Sequence, residues 1–145
     1  MKKNGLFILF YTFITLICFA CQSNEIGGRK DYFTLKMNEN CVIPNDNNAI
    51  TLSFIGVSDE RCSKPMCYQC YGSKADILLS ITNSENTKTE INLSIIGCID
   101  EYEGPATNYV DTLGYRFGLV KLSPYPDVEP VNENDYIAKI KIIKL

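Results

Sequence analysis

Histidine is absent from the 145 residues, which removes most of the chemistry that usually builds an active site. Ser-His-Asp and Cys-His nucleophiles need an imidazole, and so do His-ligated metal centres. General acid–base work would fall to carboxylates, Lys, Tyr or Cys. The cysteines offer the densest cluster of reactive groups. Cys67-Tyr68-Gln69-Cys70 is a C-x-x-C, which does redox chemistry where a helix N-terminus lowers the first thiol's pKa. Neither a βαβ pattern nor a following helix accompanies it. Cys62, Cys67, Cys70 and Cys98 could instead hold zinc as four thiolates, but only in a reducing compartment. Asp100, Glu101 and Glu103, with Asp59 or Asp111, lack the D-x-D-x-D-G spacing of a calcium loop. No catalytic constellation emerges. The chain reads as a non-enzyme, with no metal site and no cofactor.

Structural disulfides are the simpler use of Cys41, Cys62, Cys67, Cys70 and Cys98. Their number is odd, so at least one thiol stays free or pairs between molecules. Connectivity stays open. Cys62 with Cys67 or Cys70 closes a short loop. A Cys41–Cys98 bridge would contribute about 2–4 kcal/mol by constraining the unfolded chain. The loop from Arg61 to Gly72 then becomes a stapled segment carrying Arg61, Lys64, Tyr68 and Tyr71. A rigid loop of this kind can bind a protein, a protease included, because little entropy is lost on association. The alternative is a turn whose staple serves only the fold.

The beginning of the chain has the layout of an export signal. Lys2 and Lys3 precede an uncharged apolar run from Leu6 to Phe19. As a helix that run would span roughly 21 Å, short of the ~30 Å hydrocarbon core. It fits a signal h-region over residues 1–20 rather than a membrane span. Leu16-Ile17-Cys18-Phe19-Ala20-Cys21 resembles a lipobox, which implies a lipid on Cys21. Cys18 and Phe19 depart from the usual residues, and Ala20 and Cys21 match them. The acyl chains would hold the protein to a membrane at about 0.8 kcal/mol per buried methylene. Gln22-Ser23-Asn24-Glu25-Ile26-Gly27-Gly28 is polar and glycine-rich, so residues 21–30 read as the lipidated cysteine and a flexible tether.

Taking Lys2 and Lys3 from the 14 basic residues leaves 12 against 17 acidic ones, and net charge moves from −3 to −5. The charges are interspersed and no basic stripe stands out, so nucleic acid is not an expected partner. The expected partners are the membrane, through the anchor, and an unidentified protein. The expected place is the cell envelope, with the outer membrane favoured over the inner and the exposed face left open.

After the tether the hydrophobic period is two. Tyr32 to Met37 opens as a strand. Ile50, Leu52 and Phe54 share a face. Ala75, Ile77, Leu79 and Ile81 form a second set, and Thr89, Ile91, Leu93 and Ile95 a third. Tyr115, Phe117 and Leu119 form a fourth, and Tyr136, Ala138, Ile140 and Ile142 a fifth. Such alternation in β-branched and aromatic residues predicts strands. Asn83-Ser84-Glu85-Asn86 predicts a hairpin loop, and Pro44-Asn45-Asp46-Asn47-Asn48, Gly104-Pro105 and Pro124-Tyr125-Pro126 predict turns. The expectation is an all-β domain over residues 31–145. It should be an antiparallel β-sandwich, Ig-like or jelly-roll-like, or an open barrel, with about 6–8 strands.

Ser58-Asp59-Glu60-Arg61-Cys62, then Cys67-Tyr68-Gln69-Cys70-Tyr71-Gly72, resembles a group of small exported Bacteroidetes-type lipoproteins. Their pattern is close to D-S-R-C-P followed by C-x-W-x-G. Tyr115-Arg116-Phe117-Gly118-Leu119-Val120-Lys121-Leu122-Ser123-Pro124 resembles their later Y-x-F/I-x-L-x-x-(L/V)-x-P segment. Glu60 and Ser63 replace the usual Ser and Pro, the cysteine gap is shorter, and the Trp is absent. The resemblance implies a β-sandwich and a disulfide-pinned loop, and no particular chemistry. Asp111-Thr112-Leu113 resembles the D-(S/T)-aliphatic O-glycosylation site of exported Bacteroidetes-type proteins, with Thr112 as acceptor.

Overall fold

The computed structural model describes residues 22–26, 29–43, 49–63, 66, 73–97, 106, 108–126 and 131–145. Within them, nine strands make two antiparallel sheets. The five-stranded sheet has the order β1 (Gln22–Ile26), β2 (Arg29–Lys36), β9 (Ile137–Lys144), β8 (Tyr115–Ser123), β7 (Tyr109–Thr112). The four-stranded sheet has the order β3 (Asn40–Ile43), β4 (Ile50–Asp59), β5 (Lys74–Thr82), β6 (Lys88–Ile96). The sheets pack face to face, so the architecture is the β-sandwich and not the barrel.

Alternation explains which face each strand buries. Ala75, Ile77, Leu79 and Ile81 of β5 are fully buried. They lie opposite Ile95, Leu93, Ile91 and Thr89 of β6. Phe33 and Leu35 of β2, Phe117 and Leu119 of β8, and Ala138, Ile140 and Ile142 of β9 line the facing sheet. The inner faces meet in a single core, in which each buried Leu, Ile or Phe contributes about 1.5–3 kcal/mol relative to exposure. The Asn83–Asn86 turn is present as expected. Asn83 Oδ1 accepts the backbone N–H of Glu85 (3.0 Å) and of Thr87 (2.9 Å), and Asn86 takes the left-handed φ of 59° that suits Asn.

Strands β1, β3 and β7 lie outside the alternating runs. Strands β3 and β7 have four residues each, too few to establish a period. Strand β1 is polar, and its composition reads as a tether. Its backbone nevertheless pairs with β2 from Gln22↔Thr34 to Ile26↔Arg29. Strand addition uses main-chain groups, which composition does not reveal. The expected tether over 21–30 is therefore corrected over Gln22–Ile26, which belongs to the sheet.

Hairpin β7–β8 turns through Leu113 and Gly114, both at positive φ (51° and 76°). That is the two-residue geometry suited to strand twist. Across it, the outer side of Gly118 is occupied. A Cβ there would stand 2.5 Å from the Ala106 Cβ and 2.7–2.8 Å from the Tyr109 ring. Replacing Gly118 by valine is expected to cost about 1–3 kcal/mol through overpacking. Chemical denaturation would show the loss as a lower midpoint with an unchanged slope.

Candidate functional site

Two β-bulges place the polar groups that matter. Strict alternation continued from Phe54 would put Asp59 and Arg61 on the outer face of their sheet. Strand β4 instead carries one extra residue. Phe54 faces Leu79, Gly56 faces Leu78, and Ile55 is left over. The phase slips by one. Asp59 now lies opposite the fully buried Ala75, and the following Arg61 also turns inward. A second bulge in β8, between Leu119 and Lys121, likewise shifts phase so that Leu122 faces the core opposite Ala138.

The result is an interior ion pair at one end of the sandwich. The side chains of Arg61 and Asp59 are 0% and 3% exposed. Arg61 Nε donates to Asp59 Oδ1 at 2.8 Å and Nη2 donates to Asp59 Oδ2 at 2.6 Å. This is the bidentate geometry a planar guanidinium favours. Arg61 Nη1 donates to the Leu122 carbonyl (3.0 Å), and Nη2 also donates to that of Pro124 (3.2 Å). The Tyr125 ring lies 4.7 Å from the guanidinium carbon. Tyr136 Oη donates to Asp59 Oδ2 at 3.0 Å. One carboxylate and one guanidinium thereby join the end of β4 to the end of β8, to the segment beyond it, and to the start of β9. Among the described residues, every buried side-chain polar atom has a partner.

Tyr136 records this environment. Burial, then the Asp59 charge, then the hydrogen bond to Asp59 push its hydroxyl from 10.0 up to about 12, with Arg61 opposing. The native state thus holds the phenol protonated at pH values where the unfolded chain has released it. The associated stability is fully present below pH ~10 and is lost as pH rises toward ~12. Unfolding measured across that range should show a steeper decline for the wild type than for Tyr136→Phe.

Arg61 was expected at the surface of a binding loop; it is instead consumed by the fold, and that expectation is corrected. Its four hydrogen bonds leave it no role as an exposed contact. The other expected loop residues, Lys64, Tyr68 and Tyr71, lie outside the described residues, as do Cys67, Cys70 and Cys98. At the root of the loop, the Cys62 backbone N–H donates to Ser73 Oγ (3.3 Å), and Glu60 N–H donates to the Lys74 carbonyl (2.8 Å). Met66 is exposed. Cys41 is buried on β3 opposite Leu52, at the opposite end of its sheet from Gly97, whose N–H donates to the Ser73 carbonyl. Cys21 lies outside the described residues.

Thr112 closes β7 opposite Tyr115, beside Asp111. The Asp111 carboxylate is held by Arg116 Nε (2.8 Å) and Nη2 (2.7 Å). These bonds hold the Asp111 pKa below the ordinary carboxylate value. Both partners are exposed, so this pair, unlike Asp59–Arg61, contributes little to stability.

Fold and site together define an antiparallel β-sandwich whose sheets are tied at one end by an interior Asp–Arg–Tyr cluster. No protein-family model, curated protein or solved structure matches the chain.

Proposed function

We propose that this chain is a lipid-anchored cell-envelope β module, non-enzymatic, with a structural or binding role. The observation that carries the reading is the join between leader and fold. Strand β1 begins at Gln22, immediately after the lipobox cysteine Cys21. An acyl group on Cys21 would therefore attach at the edge of a sheet. An oxidising location is supported by Cys41, Cys62, Cys67, Cys70 and Cys98, a cysteine content that suits structural disulfides. It is also supported by the likeness of Ser58–Cys62 and Tyr115–Pro124 to the exported lipoprotein pattern. The absence of histidine from the chain supports a non-catalytic role.

The test is the intact mass of the native product isolated from the envelope. The expected species starts at Cys21 and carries two or three acyl chains. A product that retains Met1, or one with an unmodified Cys21, overturns the reading.

A second reading, protein binding through the loop of Arg61 to Gly72, is favoured by the locked loop root. Arg61 fixes one side of it to the sandwich, and Ser73 fixes the other through Cys62 and Gly97. A loop held at both ends binds with a smaller entropy loss. Photo-crosslinkers placed at Lys64, Tyr68 and Tyr71 should capture one partner in the envelope, and reduction of the disulfides should abolish the capture. Capture that survives reduction and loop opening overturns it. Thr112 is proposed as an O-glycan acceptor, with loss of the glycan mass in Thr112→Ala as its test.

A further inference from the structure

The strands at the rims of the two sheets differ in how well they are guarded. Strands β3 and β7 have four residues each, and β1 breaks register against β2 between Asn24 and Ile26. Short or irregular edges are poor templates for another chain. Strand β6 is different. It has nine residues, with no proline and no bulge against β5. Among the described residues, no strand pairs with its outer side. The ladder fixes which main-chain groups lie on that side. Gly97 N–H donates to the Ser73 carbonyl (2.7 Å), and Asn83 N–H donates to that of Thr87 (3.1 Å). Thr87 and Gly97 thus turn toward β5, and bonded residues alternate along an antiparallel ladder. Thr89, Ile91, Leu93 and Ile95 therefore bond β5. Lys88, Glu90, Asn92, Ser94 and Ile96 aim their N–H and C=O groups away from it. The charge that would guard this rim is engaged on the sheet face, since Lys88 Nζ pairs with Glu90 at 2.9 Å. Ser94 Oγ likewise donates to Asp76 on β5.

We propose that β6 pairs antiparallel with β6 of a second copy of this chain, about a two-fold axis at Asn92. The two four-stranded sheets then run on as one sheet across the pair. The inference stands apart from the anchor reading. Three observations carry it. The first is self-complementarity in length. Centring on Asn92 sets Lys88 opposite Ile96 of the second copy and Glu90 opposite Ser94, so the whole strand pairs. Any other centre leaves one end of the strand unmatched. The outward residues then make roughly ten main-chain hydrogen bonds, two for each facing pair. The second is charge. This register opposes no like charges, whereas centring on Glu90 would set two carboxylates face to face. Lys88 instead meets Ile96, which is 54% exposed and can be covered by the lysine's methylene stem. The third is the core. On the inner side Ile91 meets Leu93 and Thr89 meets Ile95, so the buried rows of the two sandwiches continue into one another. This self-match in length, charge and core favours a second copy over a strand from another protein.

The test measures association of the full native product by sedimentation in a mild detergent. The wild type should sediment as a dimer. Asn92→Lys and Asn92→Asp each place two like charges at the axis, and each should associate about fivefold more weakly. An equal mixture of the two variants should recover the dimer, as a heterodimer. Asn92→Pro should associate about thirtyfold more weakly, because it removes the outward N–H at the axis from both copies. It leaves the groups facing β5 intact. The unfolding midpoint of Asn92→Lys should match that of the wild type diluted to monomer, which separates lost pairing from lost folding. A monomeric wild type overturns the inference. A dimer that both charged variants leave intact overturns it too, because the contact then lies elsewhere. A monomeric wild type in which a photo-crosslinker at Asn92 captures a different envelope protein replaces the second copy with a donated strand.

Discussion

Arg61→Ala is expected to destabilise the domain by about 3–5 kcal/mol, because it leaves the Asp59 carboxylate buried without its cation. For a domain of this size that is a fall of roughly 10–20 °C in the unfolding midpoint. The expected loss comes from several groups at once. Asp59 Oδ1 and Oδ2 lose their guanidinium donors, the Leu122 and Pro124 carbonyls lose theirs, and a cavity opens under Tyr125. Asp59→Ala should cost a similar amount, since the guanidinium is then stranded. The double replacement Asp59→Leu with Arg61→Met should cost less than either single change. Removing both charges also removes the desolvation that the pair had to offset. The control is Asp111→Ala. It breaks the same bidentate geometry on the exposed surface, and should leave the midpoint nearly in place. Calorimetry on these variants and the wild type decides it. A fall for Arg61→Ala no larger than that for Asp111→Ala would show that the interior pair does not hold the sheets together.

The contrast between these two pairs also shows what was legible in the sequence. Six strands follow from alternation, because a side chain's face on a half-buried sheet depends only on parity. Strand β1 hides because the main-chain pairing that places it in the sheet leaves no mark on composition, and β3 and β7 hide because four residues give no period. The inward turn of Asp59 and Arg61 was not read from the sequence for a more specific reason. Parity holds only while the ladder is regular, and a single extra residue inverts it for everything downstream. The signal was nevertheless present. The inward apolar positions of β4 run Ile50, Leu52, Phe54 and then Val57, a step of three, with Gly56 inside the step. A lone glycine within a strand pattern is a bulge signal. In β8 the same step occurs from Leu119 to Leu122. Counting through both bulges turns Asp59 and Leu122 toward each other, which is the arrangement observed. The loop beyond Cys62 offered no such regularity, since neither period two nor period 3.6 runs through residues 63–72.

The bulge gives a second large effect that separates adjacent residues. Phe54 is fully buried, and the next residue, Ile55, is 37% exposed although it is equally apolar. A residue-by-residue hydrophobicity scale would rank them alike. The ladder does not, because Phe54 faces Leu79 inside the core while Ile55 is the extra residue with no counterpart on β5. Phe54→Ala is expected to cost about 3–5 kcal/mol, as lost transfer energy and an unfilled cavity between the sheets. Ile55→Ala should cost about 0.5–1 kcal/mol, as for a partly exposed site away from the core. The two should differ in kind as well as size. The Phe54 cavity sits among Leu52, Ile77 and Leu79 on its own sheet and the buried side chains of the facing one. It loosens both sheets, so amide exchange should quicken in β8 and β9 as well as in β4 and β5. Removal of the Ile55 side chain should leave exchange in the five-stranded sheet unchanged. Equal destabilisation by the two substitutions would mean that the extra residue is not at Ile55. Asp59 and Arg61 would then lose the phase shift that brings them inside.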